Sequence, residues 1–498
     1  MSIHETLGGR YLIVTPFKGL VIKNLIGYSR LKLQKDYKVE NNLVNRIVLG
    51  LDPIVPEMKA SIKLKPEYLA PLKRYQQLDV LKLATLKNSL NINPMGLGKT
   101  LETLTLLKGV GIGEGVLVIA PKSVLGQWKG QVAKWWNEVL DKVDILPEEV
   151  KSNRIIIINY ERLLNEEYLA QLKAISWEAI VCDEAHRIGN RKAQRSIALN
   201  QLKSEYKFAL TGTPIINKPD GIWGILNWLD WRYGGNSYWN FVGHFCELNP
   251  NWGYTPKGLI PDPARQAILA TLVKLISVRN EDIGSGVEQF NEVVELEMDY
   301  HQRKFYDNTK KLILEELPEG IGIPNGAVLM LRLQQITSAP TILDPKCKDN
   351  IKLTWLKDKI LDTDEKIVVF TKFRAVAKFL ADQFSNVGAL TLHGEMTPTE
   401  RTEVIEQFQK PEHQLLIGTY GAMSQGIDGL QFLSRLVVFY DRDWSSENMA
   451  QAEARVNRYG QQNHVTVYTL DCKKSVDEYV GKVNLRKRED VELILNAN

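Results

Sequence analysis

The sequence predicts an α/β protein of two parallel-sheet units joined by a helical insertion and preceded by a small β-rich unit. Short apolar runs alternate with longer amphipathic stretches from Leu72 to about residue 218, and again from about residue 341. That alternation is the pattern of buried parallel strands linked by crossover helices. A Trp-rich and Pro/Gly-rich stretch interrupts it between the two. At 498 residues the chain is also longer than one ordinary core supports, so several domains are expected.

The elements follow in order. Residues 1–65 are the expected N-terminal unit. Arg10 to Phe17, Leu20 to Ile26 and Arg46 to Leu51 are rich in Val, Ile, Leu and Tyr, are set apart by Gly and Asn, and read as strands. Asp52-Pro53-Ile54-Val55-Pro56 reads as a linker. Residues 66–218 hold candidate buried strands at Val116 to Ala120, Arg154 to Ile158, Ala179 to Cys182 and Lys207 to Leu210. Residues 219–340 carry Trp223, Trp228, Trp231, Trp239 and Trp252, then helical patterns from Ala264 to Val278 and from His301 to Leu317, and read as a helix-rich insertion. Residues 341–498 repeat the α/β pattern, with strands expected at Ile367 to Phe370, Ala389 to Leu392, Gln414 to Ile417, Leu436 to Tyr440 and Val465 to Leu470.

Bulk properties exclude some classes. No run of about eighteen apolar residues is present, so no membrane span is expected. The start, Met1-Ser2-Ile3-His4-Glu5, lacks the basic and apolar regions of a secretory signal. The cysteines Cys182, Cys246, Cys347 and Cys472 stand far apart with no CxxC spacing. No zinc or disulfide framework follows, and a reducing, cytoplasmic compartment is expected. Residues 1–70 hold 11 Lys/Arg against 6 Asp/Glu, which suits either a nucleic-acid arm or a solvated basic surface.

Two motifs carry chemistry. The run Asn93-Pro94-Met95-Gly96-Leu97-Gly98-Lys99-Thr100 is a Gly-rich loop ending in Lys-Thr. Gly96 and Gly98 let backbone N–H groups approach an anion at a helix start. Lys99 would reach the β- and γ-phosphates and the Thr100 hydroxyl would ligate Mg²⁺. The strict phosphate-loop pattern has Gly where Asn93 stands. Behind the apolar run Ala179-Ile180-Val181 comes Asp183-Glu184-Ala185-His186. Asp183 suits Mg²⁺ through its waters, and Glu184 suits orienting and deprotonating an attacking water. Each motif alone could be an ordinary loop, and His186 alone a structural histidine. Both in this order, each after a strand, point to hydrolysis of a nucleoside triphosphate, with Mg²⁺ as the expected metal. Upstream, the Gln76 amide could read an adenine edge or be an exposed helix residue. Arg455 and Arg458 are three apart and would share a helix face. A guanidinium held against a triphosphate neutralises the γ-phosphate in the transition state, a contribution of roughly 10³–10⁵ in rate.

These motifs resemble those of the Swi2/Snf2-type members of the superfamily 2 helicases, over roughly residues 70 to 480. Leu72-Lys73-Arg74-Tyr75-Gln76 resembles the family's adenine motif and Met95 to Thr100 its motif I. Pro121-Lys122-Ser123-Val124-Leu125-Gly126-Gln127-Trp128 resembles motif Ia, and Asn159-Tyr160-Glu161-Arg162-Leu163 the next DNA-facing segment. Asp183 to His186 is similar to motif II, and Leu210-Thr211-Gly212-Thr213-Pro214-Ile215 to motif III. Ile367 to Thr371 resembles motif IV, and Gly421 to Asp428 motif V. Asp441-Arg442-Asp443-Trp444 followed by Gln451 to Gln461 resembles motif VI, whose Arg-Tyr-Gly-Gln ending marks this family rather than its strand-separating cousins. The family usually has an acidic pair where Asn93-Pro94 stand, and often a basic residue at Gly189, near Arg187 and Arg191.

The resemblance implies two RecA-like P-loop lobes and DNA-stimulated ATP hydrolysis driving translocation on double-stranded DNA. It adds Tyr75, Gly426 and Asp428 to the nucleotide site, gives Thr211, Thr213 and Gln451 a coupling role, and makes Lys122, Ser123, Tyr160 and Lys372 candidates for DNA backbone contacts. The expected partners are double-stranded or branched DNA and a DNA-bound protein, with no membrane, for a monomeric motor of compact bacterial or viral type. Three alternatives stay open: a fork- or junction-remodelling or annealing enzyme using residues 1–65, a strand-separating helicase, and a nucleic-acid-binding scaffold with an inactive motor.

Overall fold

The structure is a computed structural model that describes residues 3–5, 11–14, 29–30, 37–40, 42–49, 51, 64–214, 219–250, 255–280, 287–315, 324–423, 429–458 and 460–495. The expected strand at 20–26, the linker at 52–56, and Gly426 and Asp428 lie outside them. The chain forms two compact units, Met1–Glu281 with Lys487–Asn498, and Asp282–Arg486.

In the first unit, β1 (Ile3–Glu5), β2 (Tyr11–Val14), β3 (Ser29–Arg30) and β4 (Tyr37–Glu40) make an antiparallel sheet in the order β1-β2-β4-β3. The strand expected at 46–51 is instead the end of a helix, Leu43–Val48. Asn42 caps it, its side-chain oxygen accepting the Asn45 N–H at 2.9 Å, and Leu43 and Val44 are buried in the main core. The Asn before the apolar run marks a helix start, a signal that outweighs the β-propensity of Val and Ile.

The main sheet of this unit comprises β5 (Asn88–Asn91), β6 (Val116–Ala120), β7 (Val143–Ile145), β8 (Ile155–Asn159), β9 (Ser176–Asp183) and β10 (Lys203–Leu210). A hairpin of β11 (Cys246–Asn249) and β12 (Thr255–Leu259) follows, and then β13 (Ser277–Val278), which joins the sheet. The order is β13-β5-β10-β9-β6-β8-β7, every pairing parallel. Alternate residues serve opposite cores. Leu117 and Ile119 join Ile156, Ile158 and Ile180 on one face, whereas Val118 and Ala120 join Ile157, Ala179 and Val181 on the other. A sheet buried on both faces has continuous apolar strands, which is why β6, β8 and β9 are readable from sequence.

The second unit holds β14 (Gln289–Leu296), β15 (Ile367–Thr371), β16 (Leu390–Leu392), β17 (Leu415–Thr419), β18 (Leu436–Phe439) and β19 (Val465–Cys472). Their order is β14-β19-β18-β15-β17-β16, again all parallel. Both units are thus the parallel α/β sheets the pattern predicts.

The separate insertion expected over 219–340 is divided. Trp223, Trp228, Tyr233, Phe241 and Phe245, with Leu269, Leu272 and Ile276 of the helix Pro263–Ile276, fill the first unit's core. Past residue 282 the chain belongs to the second unit, where β14 pairs with β19 and the helices Tyr300–Glu315 and Pro324–Ser338 follow. Trp223 and Trp228 are there because wide aromatic side chains complete an existing core, not because they start a new one.

One buried ion pair fixes the second unit. Lys352 and Asp477 are both fully buried at 2.8 Å. Asp477 also accepts from the Thr337 hydroxyl at 2.9 Å and the Cys472 N–H at 3.0 Å. Burial works against the Lys352 ammonium, but the Asp477 carboxylate prevails and holds its pKa above the ordinary value. Lys352→Ala leaves that carboxylate without its counter-charge. We expect a loss of about 3–5 kcal/mol, read as a lower urea midpoint of the intact protein; an unchanged midpoint would show that water or relaxation replaces the pair.

Candidate nucleotide site

The parallel register brings three loops together. Leu210 at the end of β10 pairs with Asn91 of β5 on one side and Asp183 of β9 on the other. Three neighbouring strands therefore end level. The loops beginning at Ile92, Thr211 and Glu184 leave the same carboxyl edge side by side, where ligands bind in such sheets.

The first loop is the Gly-rich one. Gly98 has φ of +88° and caps the helix Lys99–Gly109. A Cβ there would stand 2.3 Å from Gln76 Nε2, so glycine is required both for conformation and for space. The Tyr75 hydroxyl and Gln76 Nε2 each donate to the Leu97 carbonyl at 2.9 Å, while Gln76 Oε1 accepts the Lys73 N–H. Gln76 is buried, not an exposed helix residue. The two residues expected at an adenine thus also clamp the loop. Lys99 Nζ donates to the carbonyls of Asn93 at 2.8 Å and Pro94 at 3.2 Å. An ammonium carries three donors, so one is left for a phosphate oxygen. Burial lowers the Lys99 pKa, opposed by Glu184, Asp183 and Glu102, which places the lysine in the field of the second loop. Thr100 follows in the first turn of the helix.

The second loop starts where β9 ends. Asp183 Oδ2 accepts from Trp128 Nε1 at 2.9 Å and Oδ1 from the Glu184 N–H at 3.0 Å. Burial raises the Asp183 pKa against the Trp128 hydrogen bond and the Lys99 charge. Glu184 has φ of +52° and ψ of +52°. A non-glycine residue held left-handed costs roughly 1–2 kcal/mol, and such strain collects at functional sites. His186 Nδ1 lies 3.4 Å from Glu184 Oε2 and 3.2 Å from Thr211 Oγ1. Burial, then Arg187 and Arg195, push its pKa down to about 3, so the ring is neutral at pH 7. Thr211 Oγ1 in turn accepts the Thr213 N–H at 3.2 Å. His186 therefore links the loop of Glu184 to that of Thr211 and Thr213.

Beneath the phosphate loop lies a polar network the sequence did not reveal. Asn93 is fully buried; its Nδ2 donates to Asp79 Oδ2 at 2.7 Å and stands 3.3 Å from Glu102 Oε2. Its Oδ1 accepts the Asn280 N–H at 2.8 Å, and Asn280 Nδ2 donates to Asp79 Oδ2 at 2.6 Å. Asn91 Nδ2 donates to Glu102 Oε2 at 2.5 Å. An acid at position 93 would remove one of the two amide donors to Asp79 and place a third carboxyl beside Asp79 and Glu102. The departure from the family pattern is thus matched to Asp79, Glu102 and Asn280. Asp79 sits three residues after Gln76 on the same helix, a spacing that could have flagged it.

The remaining expected residues divide. Lys122 and Ser123 are exposed. Tyr160 is not a surface contact: it is fully buried and its hydroxyl donates to the Asp183 carbonyl at 2.7 Å. An apolar ring beside the motif II strand does more for that strand's end than for DNA. In the second unit, Lys372 is half-buried, with Nζ donating to Gln334 Oε1 at 3.1 Å and its pKa lowered by burial. Gln451 donates to Glu447 Oε1 at 2.9 Å inside the helix Ser446–Glu453. That helix ends before Arg455 and Arg458, which occupy the turns after it, so the shared helix face does not form. Both are half-buried.

The network predicts a pH dependence. Burial pushes the Glu102 carboxyl up from 4.5 to about 7. A carboxyl raised on folding contributes stability that is fully present below the unfolded value and is lost as pH rises through the folded one. Glu102→Gln removes that loss. The variant should match the parent near pH 4.5 and exceed it at pH 8 by roughly 2–3 kcal/mol in urea unfolding; equal pH profiles would contradict the buried, protonating carboxyl.

Comparison with known proteins identifies the family. Residues 83–341 match the SNF2-related domain and residues 351–460 the helicase conserved C-terminal domain. The transcription regulatory protein SNF2 of Saccharomyces cerevisiae is 25% identical over 480 residues, covering 86% of this chain and 28% of that protein. The ISWI chromatin-remodeling complex ATPase ISW1 of the same yeast is 25% identical, covering 81% and 38%. An uncharacterized ATP-dependent helicase of Mycoplasma pneumoniae is 25% identical, covering 87% and 43%. The chain therefore spans less than half the length of each. The solved Sulfolobus solfataricus SWI2/SNF2 ATPase core in complex with dsDNA is 23% identical, covering 89% of this chain and 99% of that one at a TM-score of 0.40. With the first domain matching more than half of its residues and the second following it, the chain belongs to the SNF2-related family.

Proposed function

We propose that this protein is a DNA-stimulated ATPase that converts hydrolysis into translocation on double-stranded DNA, and so remodels DNA structures or DNA-bound proteins. The observation that carries the reading is the level ending of β5, β10 and β9, with Lys99 in the field of Glu184 and Asp183. Three loops, one basic and one acidic around a hydroxyl pair, form one edge of a phosphate site.

The donors present support the following roles. Backbone N–H groups at Gly96 to Thr100 and the Lys99 ammonium bind the β- and γ-phosphates. The Thr100 hydroxyl and Asp183 fit a magnesium ion: hard oxygen donors, with Asp183 held by Trp128. Bound there, Mg²⁺ supplies charge neutralisation to the phosphates. Glu184, presented by its left-handed backbone, orients the water and takes its proton. His186 carries the state of that loop to Thr211 and Thr213. Tyr75 and Gln76 contact the adenine, and Gly426 and Asp428 also serve the nucleotide. Arg455 and Arg458 supply the cations of the transition state, with Gln451 in coupling. Lys122 and Ser123 hold the DNA backbone without reading bases, and Lys372 can join them by leaving Gln334.

Steady-state ATP hydrolysis against single-stranded, blunt duplex and forked DNA and RNA tests this. Duplex should stimulate most. Glu184→Gln should keep ATP affinity while kcat falls about 10²-fold or more, Lys99→Ala should weaken nucleotide binding, and Arg455→Ala should lower kcat with binding retained. Hydrolysis by Glu184→Gln at the parental rate would remove the base assignment, and absence of stimulation by any DNA would remove the translocase reading.

A further inference from the structure

Beside motif II, within the first unit, lies a cleft of about 660 Å³ that, His186 apart, none of the roles above employs. Arg187, Arg191, Lys192 and Arg195 line it, against a single carboxylate among the described residues, Asp220. His186, which lines it too, is kept neutral by burial and by Arg187 and Arg195. Trp239 lines it too and is 54% exposed, an unusual state for so large an apolar ring. The ring is held in place. Its neighbour Tyr238 meets it edge-on at 5.1 Å, Arg191 lies over the Tyr238 ring at 4.2 Å, and the Tyr238 hydroxyl donates to Asp220 Oδ2 at 2.6 Å.

We propose that this cleft is a binding site for an unpaired stretch of nucleic acid, its phosphates on the arginines and Lys192 and a base laid on Trp239. Cations tracking a backbone and an aromatic platform for bases are the two parts of a single-strand site. Two details favour this occupant. A duplex offers only phosphates, since its bases are already stacked and cannot lie on Trp239. An acidic peptide would bring carboxylates toward Asp220, whose buried Oδ1 has no hydrogen-bond partner among the described residues. A base instead brings N–H donors, which that oxygen can accept. Arg187 Nε, likewise buried and without such a partner, is matched by a phosphate oxygen.

The site touches the hydrolytic loop. His186 forms part of the cleft and contacts both Thr211 Oγ1 and the Glu184 carboxylate. An unpaired strand seated there lies next to the group assigned to activate water. The inference extends the DNA reading above to branched substrates, those with a single-stranded arm beside the duplex.

Equilibrium binding without ATP tests it independently of hydrolysis. Full-length protein is titrated into fluorescein-labelled oligothymidine, oligouridine, a fork with one single-stranded arm, and blunt duplex, with polyglutamate as competitor. Trp239→Ala should weaken oligothymidine or oligouridine binding about tenfold and the fork similarly, with a smaller loss on blunt duplex. Trp239→Phe should restore most of it, which a merely misfolded alanine variant would not explain. Arg191→Gln should flatten the salt dependence by about 0.7 in log–log slope for each phosphate it no longer neutralises. Parental oligonucleotide affinity in both Trp239→Ala and Arg191→Gln would overturn the proposal. So would an equal loss on blunt duplex, or displacement by polyglutamate as effective as by oligothymidine. A protein that binds these strands through Trp239 yet shows no DNA-stimulated ATPase would keep the site and lose the translocase.

Discussion

Everything at the nucleotide site depends on the register of three parallel strands. Asn91, Leu210 and Asp183 stand level across β5, β10 and β9. A parallel pair slipped by one residue turns each side chain to the other face, and in a sheet buried on both faces that slip would bury polar groups and expose apolar ones. The core therefore fixes the register, and the register fixes which loops face one another. Lys99, Glu184 and Thr211 are separated widely in sequence, yet each lies just past the same edge of one sheet. The proposed chemistry resides at that edge, which the core of the first unit holds in register.

The edge is not at its energy minimum. Glu184 is held left-handed, and two acids, Asp79 and Glu102, are buried beneath the phosphate loop. The surroundings offset this with directed contacts. Trp128 and Tyr160 tether both sides of Asp183, and Asn93 supplies donor and acceptor at once to Asp79 and Asn280. Asn280 lies in the last stretch of the first unit before the chain passes to the second. An amide does here what a carboxylate could not, since only an amide both donates and accepts. The substitution at position 93 is therefore compatible with a working loop and is no sign of an inactive one.

Sequence made some of this legible and hid the rest for physical reasons. The strands buried on both faces, such as Val116–Ala120 and Ile367–Thr371, are continuous apolar runs and could be read directly. Asn88–Asn91 could not, because its polar side chains are consumed locally: Asn88 accepts the Lys207 N–H and Asn91 binds Glu102. Gln289–Leu296 is an edge strand whose residues are mostly exposed, and it has no buried-strand pattern. Gly98, Lys99, Asp183 and Glu184 were readable because their chemistry dictates residue type and spacing. Trp128 and Asn280 act through contacts that span tens to hundreds of positions, and nothing local marks them. Tyr160 shows the reverse error: a residue in the right segment whose ring points inward. Trp223 and Trp228 suggested a separate insertion because composition reports burial but not which core does the burying.

The central claim is that these three loops are one triphosphate site. Hydrogen–deuterium exchange of the intact protein, with and without a non-hydrolysable ATP analogue and Mg²⁺, tests it most directly. Amides of residues 93–100, 183–186 and 211–213 should gain protection together and at the same analogue concentration. Protection confined to one segment, or absent from all three at saturating analogue, would contradict the account.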